Sequence, residues 1–230
     1  MGWPHTSKWL GTAALFALGC EKEPTQQKAG ELGNGVFTYS CSRSSDAQCD
    51  DEHKVSASAF DALALGAYFQ MGGPSGTASL NPASDLRVVY AGATAEWHTV
   101  ATGHTAVMAI GYESEVIDMV HLHTVAPTQI VVAKKLISGD FSGEIGNVSF
   151  DVDLDDAIQL RAAPADADGN ILAGALPCTW TSMDATVVEI SGDETDNVVS
   201  LITKNTGQGK LLVELGELAA EVTVDVGVTP

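Results

Sequence analysis

The sequence predicts an all-β protein: two tandem β-sandwiches that follow a cleavable leader and a short tether. Three observations carry that reading. Apolar and polar residues alternate with period two in runs such as Val116-Ile-Asp-Met-Val-His-Leu-His-Thr-Val125 and Glu221-Val-Thr-Val-Asp-Val-Gly-Val228, which sends alternate side chains to opposite sheet faces. Turn signals separate the runs at short intervals, among them Gly72-Gly-Pro-Ser-Gly76, Asn81-Pro82, Asp168-Gly-Asn170 and Asn205-Thr-Gly207, the spacing of many short strands. Finally, a block repeats. Thr102-Gly-His-Thr-Ala-Val-Met-Ala-Ile-Gly111 and then Val116-Ile-Asp-Met-Val return as Thr206-Gly-Gln-Gly-Lys-Leu-Leu-Val-Glu-Leu-Gly216 and then Val222-Thr-Val-Asp-Val. Each copy is a Gly-bearing turn, a strand, a polar hairpin and a closing strand, and two copies a domain-length apart imply one fold used twice.

The elements follow in order along the 230 residues. Residues 9–19 (Trp-Leu-Gly-Thr-Ala-Ala-Leu-Phe-Ala-Leu-Gly) are uncharged and mostly apolar, with Lys8 before them. A bilayer-spanning helix needs about 20 apolar residues, so this run has the length of a signal-peptide core instead. It stops at Cys20, followed at once by Glu-Lys-Glu-Pro-Thr-Gln-Gln-Lys. Ala17-Leu18-Gly19-Cys20 resembles the lipobox of bacterial lipoprotein precursors, in which a Cys after small residues is lipidated and becomes the new N-terminus. It matches at Gly and Cys and departs in the place of its Leu. The resemblance implies a leader over 1–19, a lipidated Cys20 and a membrane anchor. Ala17-Leu18-Gly19 also reads as a small-x-small site for the ordinary signal peptidase, which would cut the same bond and release a soluble product. The polar residues 20–30 then form a flexible tether.

All 30 acidic residues lie after Cys20, and the net charge is −19. Such a surface repels polyanions, which argues against nucleic acid as a partner. Cations and basic protein patches remain compatible. Of the four cysteines, Cys41 and Cys49 bracket the polar loop Ser-Arg-Ser-Ser-Asp-Ala-Gln, and a disulfide there suits an oxidising compartment. Cys178 is then left over, read as a buried small hydrophobe. The stretch 57–67, rich in Ala and Leu, fits a helix or a strand.

The first sandwich is expected over 31–126 and the second over 127–230, joined at Ala126-Pro127 without a long linker. In the second, Asp156-Ala-Ile-Gln-Leu-Arg-Ala, the turn Asp166-Ala-Asp-Gly-Asn170, Thr179-Trp-Thr-Ser182 and the closing run from Gly207 to Val226 follow one another in order. This resembles the bacterial immunoglobulin-like domain, group 2, with an insertion at 137–147 after the first strand. The first domain shares only the closing half and lacks the Trp-x-Ser element, so it reads as a diverged relative. The resemblance implies a non-catalytic module of surface and adhesion proteins, with a stalk or binding role.

Several constellations could carry chemistry. His121-x-His123 puts two imidazoles on one strand face, and His98 and His104 flank an expected hairpin, so these four histidines are the metal-ligand candidates, for Zn or Cu. The competing reading is solvent-facing histidines that alternate with the core residues Val120, Leu122 and Thr124. Asp151, Asp153, Asp155 and Asp156, or Asp166-x-Asp168-Gly-Asn170, offer oxygens to Ca2+ as a cofactor. The second set departs from an EF-hand, because Ile171 stands where the sharp-turn Gly belongs and Pro177 replaces the terminal Glu. It reads instead as an Asp-Gly hairpin turn. Trp97, beside Glu96 and His98, is a candidate for stacking on carbohydrate, with a core position as the alternative. No G-x-S-x-G elbow and no phosphate loop occurs, so no catalytic residue is assigned. The expected function is a non-catalytic lipoprotein of the cell envelope, on the outer membrane, with a structural, adhesion or binding role toward a protein or carbohydrate. The alternatives are a metal- or ligand-binding sensor using the His-bearing first domain, and an accessory or inhibitor subunit of an envelope complex.

Overall fold

The computed structural model describes residues 25–43, 46, 58–135, 141–145 and 148–227. The expected leader, Cys20 and Cys49 lie outside them.

The first sandwich is made from β1 (Thr25–Ala29), β2 (Val36–Ser40), β3 (Leu63–Ala64), β4 (Tyr68–Gly72), β5 (Ser79–Pro82), β6 (Leu86–Tyr90), β7 (Thr94–Thr99), β8 (Gly103–Ile110) and β9 (Val116–Val125). Its two sheets run β1-β2-β4-β7-β6 and β3-β9-β8-β5. The second is made from β10 (Gln129–Lys135), β11 (Phe141–Ile145), β12 (Val148–Asp153), β13 (Ala157–Ala165), β14 (Cys178–Ser182), β15 (Val188–Ser191), β16 (Val198–Thr203), β17 (Gly207–Leu215) and β18 (Leu218–Gly227). Its sheets run β11-β10-β13-β16-β15 and β12-β18-β17-β14.

The two orders are the same. In each, the first, second, fifth and fourth core strands form one sheet, and the third and the last two form the other. A short early strand runs parallel to the last one: β3 beside β9, and β12 beside β18. Among the described strands the other pairings are antiparallel. This is the immunoglobulin-like arrangement, in which strands A, B, E and D face C, F and G. The repeat read from sequence is its closing hairpin, β8–β9 and β17–β18. The glycine that opens each hairpin, Gly103 and Gly207, has φ of +127° and +135°, a conformation that a residue with a Cβ rarely adopts.

Alternation builds the strands as anticipated. Along β9, Asp118, Val120, Leu122 and Thr124 are buried while His121 and His123 face outward. The first core gathers Phe37, Phe60, Phe69, Met71, Trp97 and Leu122. The second gathers Leu160, Trp180, Leu201, Leu211, Val213 and Val222. Burying a side chain of this size contributes roughly 1.5–3 kcal/mol each relative to exposure.

Three expectations change. Residues 25–29 are not tether: β1 pairs with β2 from Thr25↔Ser40 to Ala29↔Val36, so the first sandwich begins before residue 31. The Ala- and Leu-rich stretch is neither one helix nor one strand, since a single 3-10 turn at Ala59–Asp61 leads into β3. The first sandwich also shares the whole strand order of the second, beyond the closing half. Its kinship was hidden because its tryptophan stands on β7 whereas that of the second stands on β14. On β5, the counterpart of β14, only Leu80 reaches the core. The insertion supplies β11, which pairs with β10 at the sheet edge.

The sandwiches are joined by backbone as well as side chains. The segment 171–177 leaves β13 and runs along the first sandwich. Tyr68 and Ala175 exchange both N–H···O bonds at 2.8 Å. The Ala64 N–H donates to the Ala173 carbonyl at 2.9 Å, and the Ala173 N–H to the Ala62 carbonyl at 2.8 Å. Ala173 belongs to the first core, while Ala62, Ala64 and Ala67 pack into the second.

Candidate functional site

The described histidines of the first sandwich separate into two groups. The connection from β7 to β8 crosses from one sheet to the other, so His98 and His104 do not flank a hairpin. His98 stacks on Tyr68 with ring centroids 4.5 Å apart, and its Nε2 lies 3.1 Å from the Gly66 carbonyl. Arg43 covers the Tyr68 ring at 3.9 Å. His98 is therefore committed to a layered stack.

The other three share the outer face of β8 and β9. His104 is the direct cross-strand partner of His123, Ala106 of His121 and Met108 of Met119. The His104 and His123 rings stack at 4.3 Å with planes 9° apart. His121 Nδ1 lies 2.6 Å from Glu31 Oε1, which also accepts the His121 backbone N–H at 3.2 Å. His123 Nδ1 lies 3.2 Å from the Asp61 carbonyl oxygen. Among the described residues no three His, Cys, Asp or Glu side chains are already gathered to hold a metal.

Glu31 is positioned by the β1–β2 turn, which docks on β9 through a buried carboxylate. Asp118 accepts the Leu32 N–H at 2.8 Å on one oxygen and the Asn34 N–H at 2.7 Å on the other. The Glu31 N–H donates to the Met119 carbonyl at 2.9 Å. Burial pushes the Asp118 carboxyl up, but the N–H groups of Leu32, Met119, Asn34 and Gly35 together outweigh it and hold it below the usual range.

At the joint, Asp46 is buried. Its Oδ2 accepts the Tyr39 hydroxyl at 2.6 Å and its Oδ1 accepts the Gly174 N–H at 3.0 Å. Burial, with the Asp46 charge and hydrogen bond added, pushes the Tyr39 phenol well above its ordinary value. A cleft of about 450 Å³ beside the joint is lined from both sandwiches, by Leu65, Ala126, Pro127, Leu176 and Leu218 among others. Sequence reasoning did not find this centre. The one local sign was an apolar run, Ile171-Leu-Ala-Gly-Ala-Leu-Pro177, in a connection where polar residues are the rule.

Trp97 is fully buried in the first core, which overturns a carbohydrate-stacking role for it. Trp180 is equally buried, and its indole N–H donates to the Asp196 carbonyl at 3.1 Å. Two residues on, the Ser182 hydroxyl donates to the Val188 carbonyl at 2.6 Å, fastening β14 to β15 across the sandwich. That is the physical content of the Trp-x-Ser element.

Asp151 and Asp153 lie on the wet face of β12 and, with Asp156, Asp225 and Lys134, border a cleft of about 790 Å³ at the end of the second sandwich. Asp155 stands in the tight turn between β12 and β13 with φ +68°. Asp225 is held low by hydrogen bonds from Gln208 and Ser149. Asp166 closes its own turn, with one oxygen accepting the N–H groups of Asp168 and Asn170 and the other the Asn170 side chain. Asp168 and Asn170 thus shape a turn around Asp166. Cys178 is a buried free thiol, pushed up to about 12 by burial and by Asp196, which keeps it unreactive at neutral pH. Cys41 is buried at the exit of β2.

No family model and no curated protein matches the chain. Among solved structures, it is similar to domains 5–6 of the S-layer protein SbsC, at 22% identity and a TM-score of 0.30, over 77% of this chain and 98% of that one. It is similar to domains 1–6 of the same surface layer protein at 12% identity and a TM-score of 0.34, over 91% of this chain and 28% of that one. The adhesin InvE of Yersinia pseudotuberculosis gives 12% identity and a TM-score of 0.33, over 74% of this chain and 57% of that one. The chain thus spans about a quarter of the six-domain structure and somewhat over half of the adhesin. Its class rests on its own strand order: a protein with two tandem immunoglobulin-like sandwiches.

Proposed function

We propose that this chain is a non-catalytic surface lipoprotein, cut before Cys20 and anchored there, whose two sandwiches act as one structural or binding module. The observation that carries the reading is the 171–177 segment, whose backbone is bonded into the first sandwich. A joint of this kind transmits orientation from an anchor to whatever the far end meets, whereas a flexible linker would not. The leader and the Cys20 context support export. The Trp180-x-Ser182 element on β14 supports the group 2 bacterial immunoglobulin-like resemblance. The acidic surface favours a protein or carbohydrate ligand over nucleic acid. We place the anchor in the outer membrane, and pair Cys41 with Cys49 to pin the loop between them.

Intact mass and membrane fractionation test this reading. A diacyl or triacyl Cys20 as the mature N-terminus, with a Cys20→Ser chain released from membranes, is the expected result. An unmodified Cys20 at the mature N-terminus removes the anchor but not export. Retention of the uncut chain in the cytoplasm removes both.

A further inference from the structure

The outer face of the β8–β9 hairpin carries three imidazoles that neither core nor the joint employs. Their arrangement is more specific than solvent-facing histidines require. His123 Nδ1 faces a backbone carbonyl, which can only accept, so in the neutral ring Nδ1 holds the proton and Nε2 holds the lone pair. The Glu31 carboxylate imposes the same tautomer on His121. Among the described residues neither Nε2 has a hydrogen-bond partner. A histidine that gives its other ring N–H to a carboxylate or a backbone carbonyl is oriented as metal ligands are. His121 and His123 stand two residues apart on one strand face, about 6.5–7 Å along the strand, so holding one ion with N–metal bonds of about 2.0–2.1 Å requires the two rings to lean toward each other. His104 adds a third imidazole from the neighbouring strand, directly opposite His123. Opposite His121 stands Ala106, a small residue that leaves the ring room to lean.

We propose that this face binds a late divalent transition-metal ion, Cu2+ or Zn2+, through His121 and His123, with His104 as third ligand. Among the described residues the rings are not gathered around one point, so binding opens the His104–His123 stack as His104 turns its nitrogen toward the ion. Glu31 is a positioning residue: it fixes the tautomer and the angle of His121. Imidazole selects these ions over Ca2+ and Mg2+, while the net charge of −19 draws cations to the surface without discriminating among them. His98 stays outside the site, on the other sheet and bound to Gly66.

The test is calorimetric titration of the mature chain, without a histidine tag, with CuCl2, ZnCl2 and, as a control for charge alone, CaCl2. Binding of Cu2+ or Zn2+ is expected to weaken by about tenfold or more in His121→Ala and in His123→Ala, the usual cost of disturbing a metal ligand or its support. His104→Ala weakens it less, and His98→Ala leaves it unchanged. Glu31→Gln weakens it while circular dichroism and the melting midpoint without metal stay as in the parent. In the Cu2+ form, nitrogen hyperfine structure in the electron paramagnetic resonance spectrum is expected and is reduced in the same variants. The ion that binds more tightly with this pattern is the one the site takes. Binding no tighter than that of Ca2+, or binding that survives the His121→Ala/His123→Ala pair, overturns the proposal.

Discussion

Asp46 and Gly174 lie 128 residues apart in the chain, and the carboxylate of one takes the backbone N–H of the other at 3.0 Å. The same carboxylate holds the Tyr39 hydroxyl, and Tyr39 stacks on Phe69 within the first core. One buried acid thus ties the interior of the first sandwich to a loop of the second. Gly174 has φ +99°, and a Cβ there would lie 2.5 Å from that of Ala67.

Asp46→Ala leaves the Tyr39 hydroxyl and the Gly174 N–H buried without their partner. We expect a loss of roughly 2–6 kcal/mol in urea unfolding, since each of the two groups costs about 1–3 kcal/mol. Gly174→Ala should cost at least about 2 kcal/mol through backbone strain and the clash with Ala67. Asp46→Ala leaves the second core untouched, whereas Gly174→Ala presses on Ala67, which packs into it, so a loss shared by both sandwiches in Asp46→Ala is the one that measures the joint.

Tyr39 gives the joint a pH dependence. Its folded-state phenol titrates above its unfolded value near 10.0, so the folded state keeps a proton that the unfolded state has shed. Stability from this group is fully present below pH 10 and declines as the pH rises through and beyond it. Melting midpoints of the parent should therefore fall above pH 10 more steeply than those of Tyr39→Phe. Equal slopes would remove Tyr39 as the cause.

Asp118 acts at the other end of the scale. Its carboxyl titrates below its ordinary 3.8 in the folded state, so its contribution is present above that value and is lost as the pH falls through the folded one. Between pH 5 and pH 2 the parent should lose more stability than Asp118→Asn, which is weaker than the parent at pH 5. Hydrogen exchange at Leu32 and Asn34, whose N–H groups the carboxylate holds, should quicken in the variant.

The paired glycines test the equivalence of the two sandwiches. Gly103→Ala and Gly207→Ala each force a side chain into a left-handed backbone, with an expected cost of about 1–3 kcal/mol. Similar losses follow from the shared geometry. A loss at one site and none at the other would deny that the two hairpins start in the same way.

What the chain reveals locally and what it conceals divide along physical lines. β9 was legible because one face is buried, so Val120, Leu122 and Thr124 had to alternate with His121 and His123. β1 was not, because Thr-Gln-Gln-Lys-Ala joins the sheet edge through its backbone and carries no apolar stripe. The joint was invisible because its partners, Asp46 and Gly174, stand 128 residues apart in the chain. At the candidate site, His121-x-His123 was readable from spacing alone. The tautomer set by Glu31 and the arrival of His104 opposite His123 depend on a turn docking and on the β8–β9 register. Dropping His98 required knowing that the chain changes sheets between β7 and β8.

The central claim, that the two sandwiches are one mechanical unit, is tested most directly by scanning calorimetry of the mature chain. The account predicts a single transition whose calorimetric and van't Hoff enthalpies agree, shifted as a whole by Asp46→Ala or Gly174→Ala. Two transitions, with the second sandwich melting at the same temperature in parent and variants, would contradict it.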